Sequence, residues 1–133
     1  MPSHMPHSVD QYDPQRVATA ALTSFFALAQ RWGLTAKAER TLLGEPPEST
    51  FFKWKAERAA RRLSNDVLER ISYLLGIYKA LHILLPSARA ADEWVHKPNT
   101  APLFQGQSAL QRMLGGRVVD LADVRRYLDA ERG

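Results

Sequence analysis

The stretch LTAKAERTLLGEPPESTFFKWKAERAARR, residues 34–62, decides how this chain is read. Thr35 caps a short helix expected over about Ala36–Leu43, which Gly44 and Pro46–Pro47 stop. A further helix is expected from about Pro47 to Arg58. Leu34, Ala38, Leu42, Phe51 and Trp54 are placed to bury between these helices. Ser49, Thr50, Lys53 and Lys55 are left on or near the outer face. Two short helices joined by a tight turn, the second one basic, form the arrangement by which a helix-turn-helix addresses DNA. Within Phe51–Arg62, Lys53, Lys55, Arg58, Arg61 and Arg62 oppose a single acid, Glu57, an excess of +4 that equals the formal net charge of the whole chain. Elsewhere charge is close to balanced, with four basic and four acidic residues in 1–46 and nine against eight in 63–133. The middle is therefore the natural anchor for a polyanion. A solvated, Arg-rich surface helix has the same composition, so the clustering carries the argument.

Outward from this stretch the chain reads as all-α, because apolar and polar residues do not alternate over any useful length. Asp13 and Pro14 open a helix reaching about Arg31. Val17, Ala21, Leu22, Phe25, Leu28, Ala29 and Trp32 recur on one face of it. Ser64 caps a long helix over about Asn65–Leu85, whose stripe (Val67, Leu68, Ile71, Leu74, Leu75, Tyr78, Leu81, Leu85) is wider than one contact needs. Such a helix is buried on two sides by its own chain or meets a second copy, and a homodimer is the expectation. After Pro86, Ser87 begins a short helix, SARAADEWV. A loop, KPNTAPLFQG, follows. Ser108 and Gln111 make a capping box for another short helix ending at Gly115–Gly116. Asp120 with Asp123 is expected to open the last helix, which buries Leu121, Val124 and Leu128 and reaches about Glu131.

Composition narrows the function. A chain of 133 residues with 45% apolar content is one domain or two very small ones. The absence of cysteine excludes disulfides and thiolate metal sites and fits a reducing cytoplasm. The most apolar stretch, Val67–Leu85, contains Glu69, Arg70, Lys79 and His82, which argues against a membrane span. The opening MPSHMPHS has no pattern, and His4 and His7 are given no role. No catalytic constellation stands out. Gly115–Gly116 lacks the Lys-Ser of a phosphate loop, and Ser108 lacks the second glycine of a nucleophile elbow. His82 and His96, fourteen residues apart, have no companion at metal spacing. His82 reads as a half-buried packing residue and His96 as an exposed one near a helix end. Trp94 reads as an anchor of the tail on the long helix, or else as part of a partner interface. No enzyme activity, cofactor or metal is expected.

The order of features carries a resemblance. The helix-turn-helix stretch and the long helix are followed by ADEWVHKPNTAPLFQGQSALQRMLGG and a final helix. This succession resembles the Xre/MbcA/ParS family of antitoxins. Its most specific part is W-x3-PN-x4-F-x-G-x-S, met by Trp94, Pro98, Asn99, Phe104, Gly106 and Ser108. The family usually continues with proline, where this chain has Ala109. Leu110, Met113, Leu114 and Gly115 fit the pattern, and the resemblance spans about residue 16 to the end.

The resemblance implies an antitoxin of a type II toxin–antitoxin system. Its partner would be a RES-domain toxin that consumes NAD or transfers ADP-ribose from it, and its C-terminal part would cover that toxin's active site. An Xre-like helix-turn-helix that represses its own operon by binding DNA is implied as well. The corresponding division is 1–12 as a disordered N-terminus, 13–63 as the DNA-binding region, 64–85 as a connecting and dimerisation helix, and 86–133 as the toxin-binding domain. A pocket for NAD offers basic groups to its phosphates, and Asp129, Glu131 and a terminal carboxylate on Gly133 would imitate those phosphates. Arg125, Arg126, Tyr127, Leu128 and Arg132 would anchor the tail at the rim. Lys53, Lys55, Arg58, Arg61 and Arg62 would meet DNA phosphates, with Ser49 and Thr50 nearest the base edges. The competing readings are a plain helix-turn-helix regulator without a toxin, and a toxin-binding protein whose helix-turn-helix no longer reads DNA.

Overall fold

The computed structural model describes residues 13–133, and the segment expected to be disordered, 1–12, lies outside the described residues. Among the described residues there are seven helices and no strand: α1 (Pro14–Arg31), α2 (Ala36–Leu42), α3 (Glu48–Glu57), α4 (Asn65–Leu84), α5 (Ala88–Trp94), α6 (Ala109–Met113) and α7 (Val118–Arg132). None of these helices is long and apolar enough to cross a membrane.

Five starts follow from local capping. Asp13, Thr35, Ser64, Ser87 and Ser108 each accept a hydrogen bond from a backbone N–H two or three residues on, at 2.9–3.2 Å. This satisfies donors that the first turn leaves free. Two boundaries differ from the sequence expectation. α3 stops at Glu57, because Arg58 turns into the left-handed region at φ 54°. α7 begins two residues before Asp120. The Asp120 carboxylate accepts from the Arg117 backbone N–H at 3.1 Å and from its guanidinium at 3.2 Å, closing the first turn from inside the helix.

The three long helices run in one direction. Pro14 and Val17 of α1 lie beside Asn65 and Leu68 at the start of α4. At the other end, Arg31 and His82 both approach Asp92 of α5, at 4.0 and 3.8 Å. On the opposite flank, Arg70 donates to the Gly116 carbonyl just ahead of α7 at 2.9 Å. Leu84 and Leu85 share a groove with Tyr127 and Leu128. α5, the following loop and α6 make the return crossing. α4 is therefore enclosed from two sides, with Ile71, Leu74, Ile77 and Leu81 no more than 2% exposed. The middle of its stripe is thus buried within one chain, while Leu68, Leu75, Tyr78 and Leu85 stay half-buried and the flanking Ile83 is 54% exposed.

Aromatic packing fixes the first three helices. Phe26, which the periodicity had left off the buried face, is in the core. Its ring stands 5.0 Å from Phe25 and 6.0 Å from Phe51 of α3. His96 is exposed at its backbone turn, yet its Nε2 lies 2.6 Å from the Trp32 carbonyl and ties the end of α5 to the end of α1. His82 is half-buried as expected, stacked 4.1 Å from Tyr78.

Asp120 is the most buried acid, 1% exposed. Burial pushes its carboxyl up. The side-chain and backbone hydrogen bonds from Arg117 and the charges of Arg117 and Arg112 outweigh that and hold it below the usual carboxylate range. A depressed folded-state value means stability that is present above the unfolded pKa and is lost as pH falls through the folded one. Urea unfolding of the wild type should thus show stability declining below about pH 4. Asp120→Asn should be less stable at neutral pH and should decline less on acidification. Parallel pH profiles for the two proteins would contradict this account.

Candidate functional site

Two surfaces carry the residues singled out above. On the helix-turn-helix, Ser49 and Lys53 are exposed on α3 and Thr50 is half-buried. The five cations divide. Lys55 does not project freely: its Nζ lies 2.7 Å from Oε1 of Glu39, a carboxylate on α2 that is only 4% exposed. The Arg58 guanidinium lies over the Phe26 ring, 5.0 Å from its centroid, and its Nε donates to the Lys55 carbonyl at 3.1 Å. These two cations hold the motif together through a charge-assisted hydrogen bond and a cation–π contact. Arg61 and Arg62 are exposed, but they sit in the connection between α3 and α4. Lys53, Arg61 and Arg62 have no ion pair among the described residues. Sequence reading missed Phe52, which stands 53% exposed beside Lys53. Its neighbour Phe51 took the inward position and packs edge-on against it at 5.0 Å.

The second surface is the C-terminal half of α7. Arg125 is laid against α4 rather than projecting to a rim: a Cβ at Gly76 would overlap its guanidinium, so the bare glycine is the notch that admits it. Its Nε also donates to Asp129 at 3.1 Å, and Arg132 approaches the other oxygen of Asp129 at 3.8 Å. Asp129 thus has two cations of its own. Arg126 pairs loosely with Asp123 at 3.5 Å. Tyr127 is half-buried, edge-on to Phe104 at 5.1 Å. Leu128 is 2% exposed, so it seats α7 in the core and is absent from the outer rim. Glu131 and Gly133 are exposed, and Glu131 has no ion pair among the described residues.

Between the ends of α4 and α7 lies a groove of about 240 Å³. Leu81 and Leu128 form its floor, Leu84, Leu85, Trp94 and Tyr127 its walls, and Glu131 stands at its edge.

The W-x3-PN-x4-F-x-G-x-S residues build the loop that brings α7 back to α4. Trp94 is edge-on to Phe104 at 5.8 Å. The Asn99 side chain accepts from the Ala101 N–H at 2.9 Å, while its backbone bonds Gly106 and Gln107 at 2.9 and 3.0 Å. Pro98 pairs with Ser108 in an isolated bridge, and Ser108 caps α6. Ala109 is the first residue of α6, a position where proline and alanine are both tolerated. Its departure from the motif therefore leaves the helix start intact. Among the described residues no group of three His, Asp or Glu side chains is placed to hold a metal.

Residues 11–76 match the antitoxin Xre-like helix-turn-helix domain, and residues 80–133 match the antitoxin Xre/MbcA/ParS C-terminal toxin-binding domain. The chain is also 51% identical over 114 residues to uncharacterized protein y4oB of Sinorhizobium fredii (strain NBRC 101917 / NGR234), covering 86% of this chain and 85% of the relative.

The division of the cations is open to measurement. Lys55→Ala leaves the Glu39 carboxylate buried without its partner, and urea unfolding should show a loss of about 2 kcal/mol. Lys53→Ala, two residues away, should stay within about 0.5 kcal/mol of wild type. Equal effects would contradict the assignment.

Proposed function

This chain belongs to the Xre/MbcA/ParS antitoxin family, and from that we infer that it neutralises a RES-domain toxin, one that consumes NAD or transfers ADP-ribose from it. The outer face of α7 is laid over the toxin's active site. The observation that carries this reading is the division of α7 into a buried side, where Leu121, Val124 and Leu128 are no more than 2% exposed, and an exposed tip carrying Arg126, Glu131 and Arg132. A helix seated this firmly presents its tip at little entropic cost. Asp129 is already held by Arg125 and Arg132. Glu131 is therefore the carboxylate best able to meet the cations of a phosphate-binding pocket, and Arg126 and Arg132, whose pairs with Asp123 and Asp129 are long and exposed, exchange them for contacts at the rim.

The same chain binds its operator through α3 and the segment after it, in the cytoplasm. Ser49 and Thr50 approach base edges, and Lys53, Arg61 and Arg62 approach phosphates. Reading a two-fold operator would take two copies of the chain. The commitment of Lys55 and Arg58 within the motif favours a second reading, in which the helix-turn-helix is a scaffold that no longer reads DNA.

The two halves can be tested separately in one set of assays. Wild-type chain at equimolar ratio should stop NAD consumption by a RES-type toxin, sought first in the reading frame next to its own. Arg126, Glu131 and Arg132 changed together to Ala should fail to do so while operator binding persists. Changing Lys53, Arg61 and Arg62 to Ala should leave neutralisation intact. It should weaken operator binding and flatten its salt dependence by about one unit per lost phosphate contact. Undiminished NAD consumption in the presence of wild type would overturn the antitoxin–RES pairing. Unchanged operator affinity in the second variant would favour the scaffold reading.

A further inference from the structure

We propose that the groove between the ends of α4 and α7 is a receptor for one bulky apolar side chain of the toxin, carried next to a lysine or arginine, so that the toxin inserts a residue into the antitoxin while α7 lies over the toxin. This rests on the toxin-binding reading given above and adds to it a second contact of opposite polarity.

The groove has the size and lining for such a residue. Its volume is about 240 Å³, whereas an apolar cavity of about 150 Å³ already admits a benzene ring. Six of the seven lining residues are aliphatic or aromatic, although polar atoms make up about half of the exposed lining, and Trp94 and Tyr127 supply the rigid ring surfaces at which binding energy concentrates. Phe104 sits edge-on to both rings and fixes their orientation.

Charge at the edge selects a neighbouring cation. Glu131 is the one charged lining residue and has no ion pair among the described residues. α4 and α7 run in the same direction, so both direct their carbonyl ends, the negative ends of their dipoles, toward this end of the molecule. Arg132, the nearest basic residue in sequence, is already turned to Asp129.

Location identifies whose side chain it is. Every residue lining the groove falls within 80–133, the span matched to the toxin-binding domain, and none falls in the helix-turn-helix match. Glu131 at the groove's edge also belongs to the exposed tip of α7, so the groove adjoins the face proposed to cover the toxin. The chain's own closest imitation of the occupant is exposed Phe52 beside Lys53, which makes a second copy the competing occupant.

The chain has no cysteine, so a single introduced thiol reports on the groove alone. Leu84→Cys places it in the groove wall, and Ser24→Cys places a control on the exposed face of α1. Maleimide labelling of Leu84→Cys should slow at least tenfold in the purified complex with the same RES-type toxin, and labelling of the control should not change. In the free chain neither rate should depend on concentration. Equal labelling of Leu84→Cys in the free chain and in a complex that demonstrably forms would overturn the groove while leaving the toxin-binding reading standing. Protection in the free chain that grows with concentration and disappears in the Phe52→Ala background would assign the groove to a second copy, and would also overturn the proposal. Failure of the unmodified chain to bind the RES-type protein at all would instead sink the reading on which the proposal rests.

Discussion

The guanidinium of Arg70 meets three parts of the molecule at once. It bonds Asp66 one turn back along α4 at 2.9 Å and the Gly116 carbonyl ahead of α7 at 2.9 Å. It also fills the space over Gly44 in the turn between α2 and α3, where a Cβ would stand 2.9 Å from its Nε. A charge that is 8% exposed is tolerated only when its donors are used. Those partners are the turn of the helix-turn-helix, the central helix and the start of the last helix. The polar contact at one end of α4 and the apolar packing along it require both halves of the chain to be in place together. The helix-turn-helix and the tail are thereby held on two flanks of one helix.

The same logic explains why charge count is a poor guide to surface here. Lys55, Arg58, Arg70, Arg112 and Arg125 each have a carboxylate, a carbonyl or an aromatic ring of the same chain as partner. A paired cation offers less to DNA or to another protein than its formal charge suggests, because the partner must be displaced first. Near the helix-turn-helix Lys53, Arg61 and Arg62 stay outward without an ion pair among the described residues, as do Arg16, Lys37 and Lys79 elsewhere, and at the tip of α7 Glu131 is unpaired among them while Arg126 and Arg132 are held loosely by Asp123 and Asp129.

Local signals were legible in the sequence. Caps at Asp13, Thr35, Ser64, Ser87 and Ser108 act over two or three residues, so their chemistry is written in adjacent letters. The all-α class and the antitoxin family also followed from pattern and motif order. The orientation of individual side chains did not. Lys55 meets Glu39 sixteen residues away, and Arg125 meets a gap left by Gly76 on another helix. Both contacts exist only once the helices have packed. The width of the α4 stripe was visible, but what covers it was not, because α7 lies far along the chain and returns through the loop built on Asn99 and Phe104. Phe52 was missed because adjacent aromatics look alike until helix phase assigns one of them inward.

The central claim is that α4 is shared, so the helix-turn-helix half and the toxin-binding half form one cooperative body. Native-state hydrogen exchange as a function of denaturant tests this most directly. The account predicts that the slowest amides of α1, α4 and α7 exchange with the same opening free energy and the same denaturant dependence, as expected when they open together. Amides of α7 that exchange through a smaller, separate opening while α1 and α4 remain protected would contradict it.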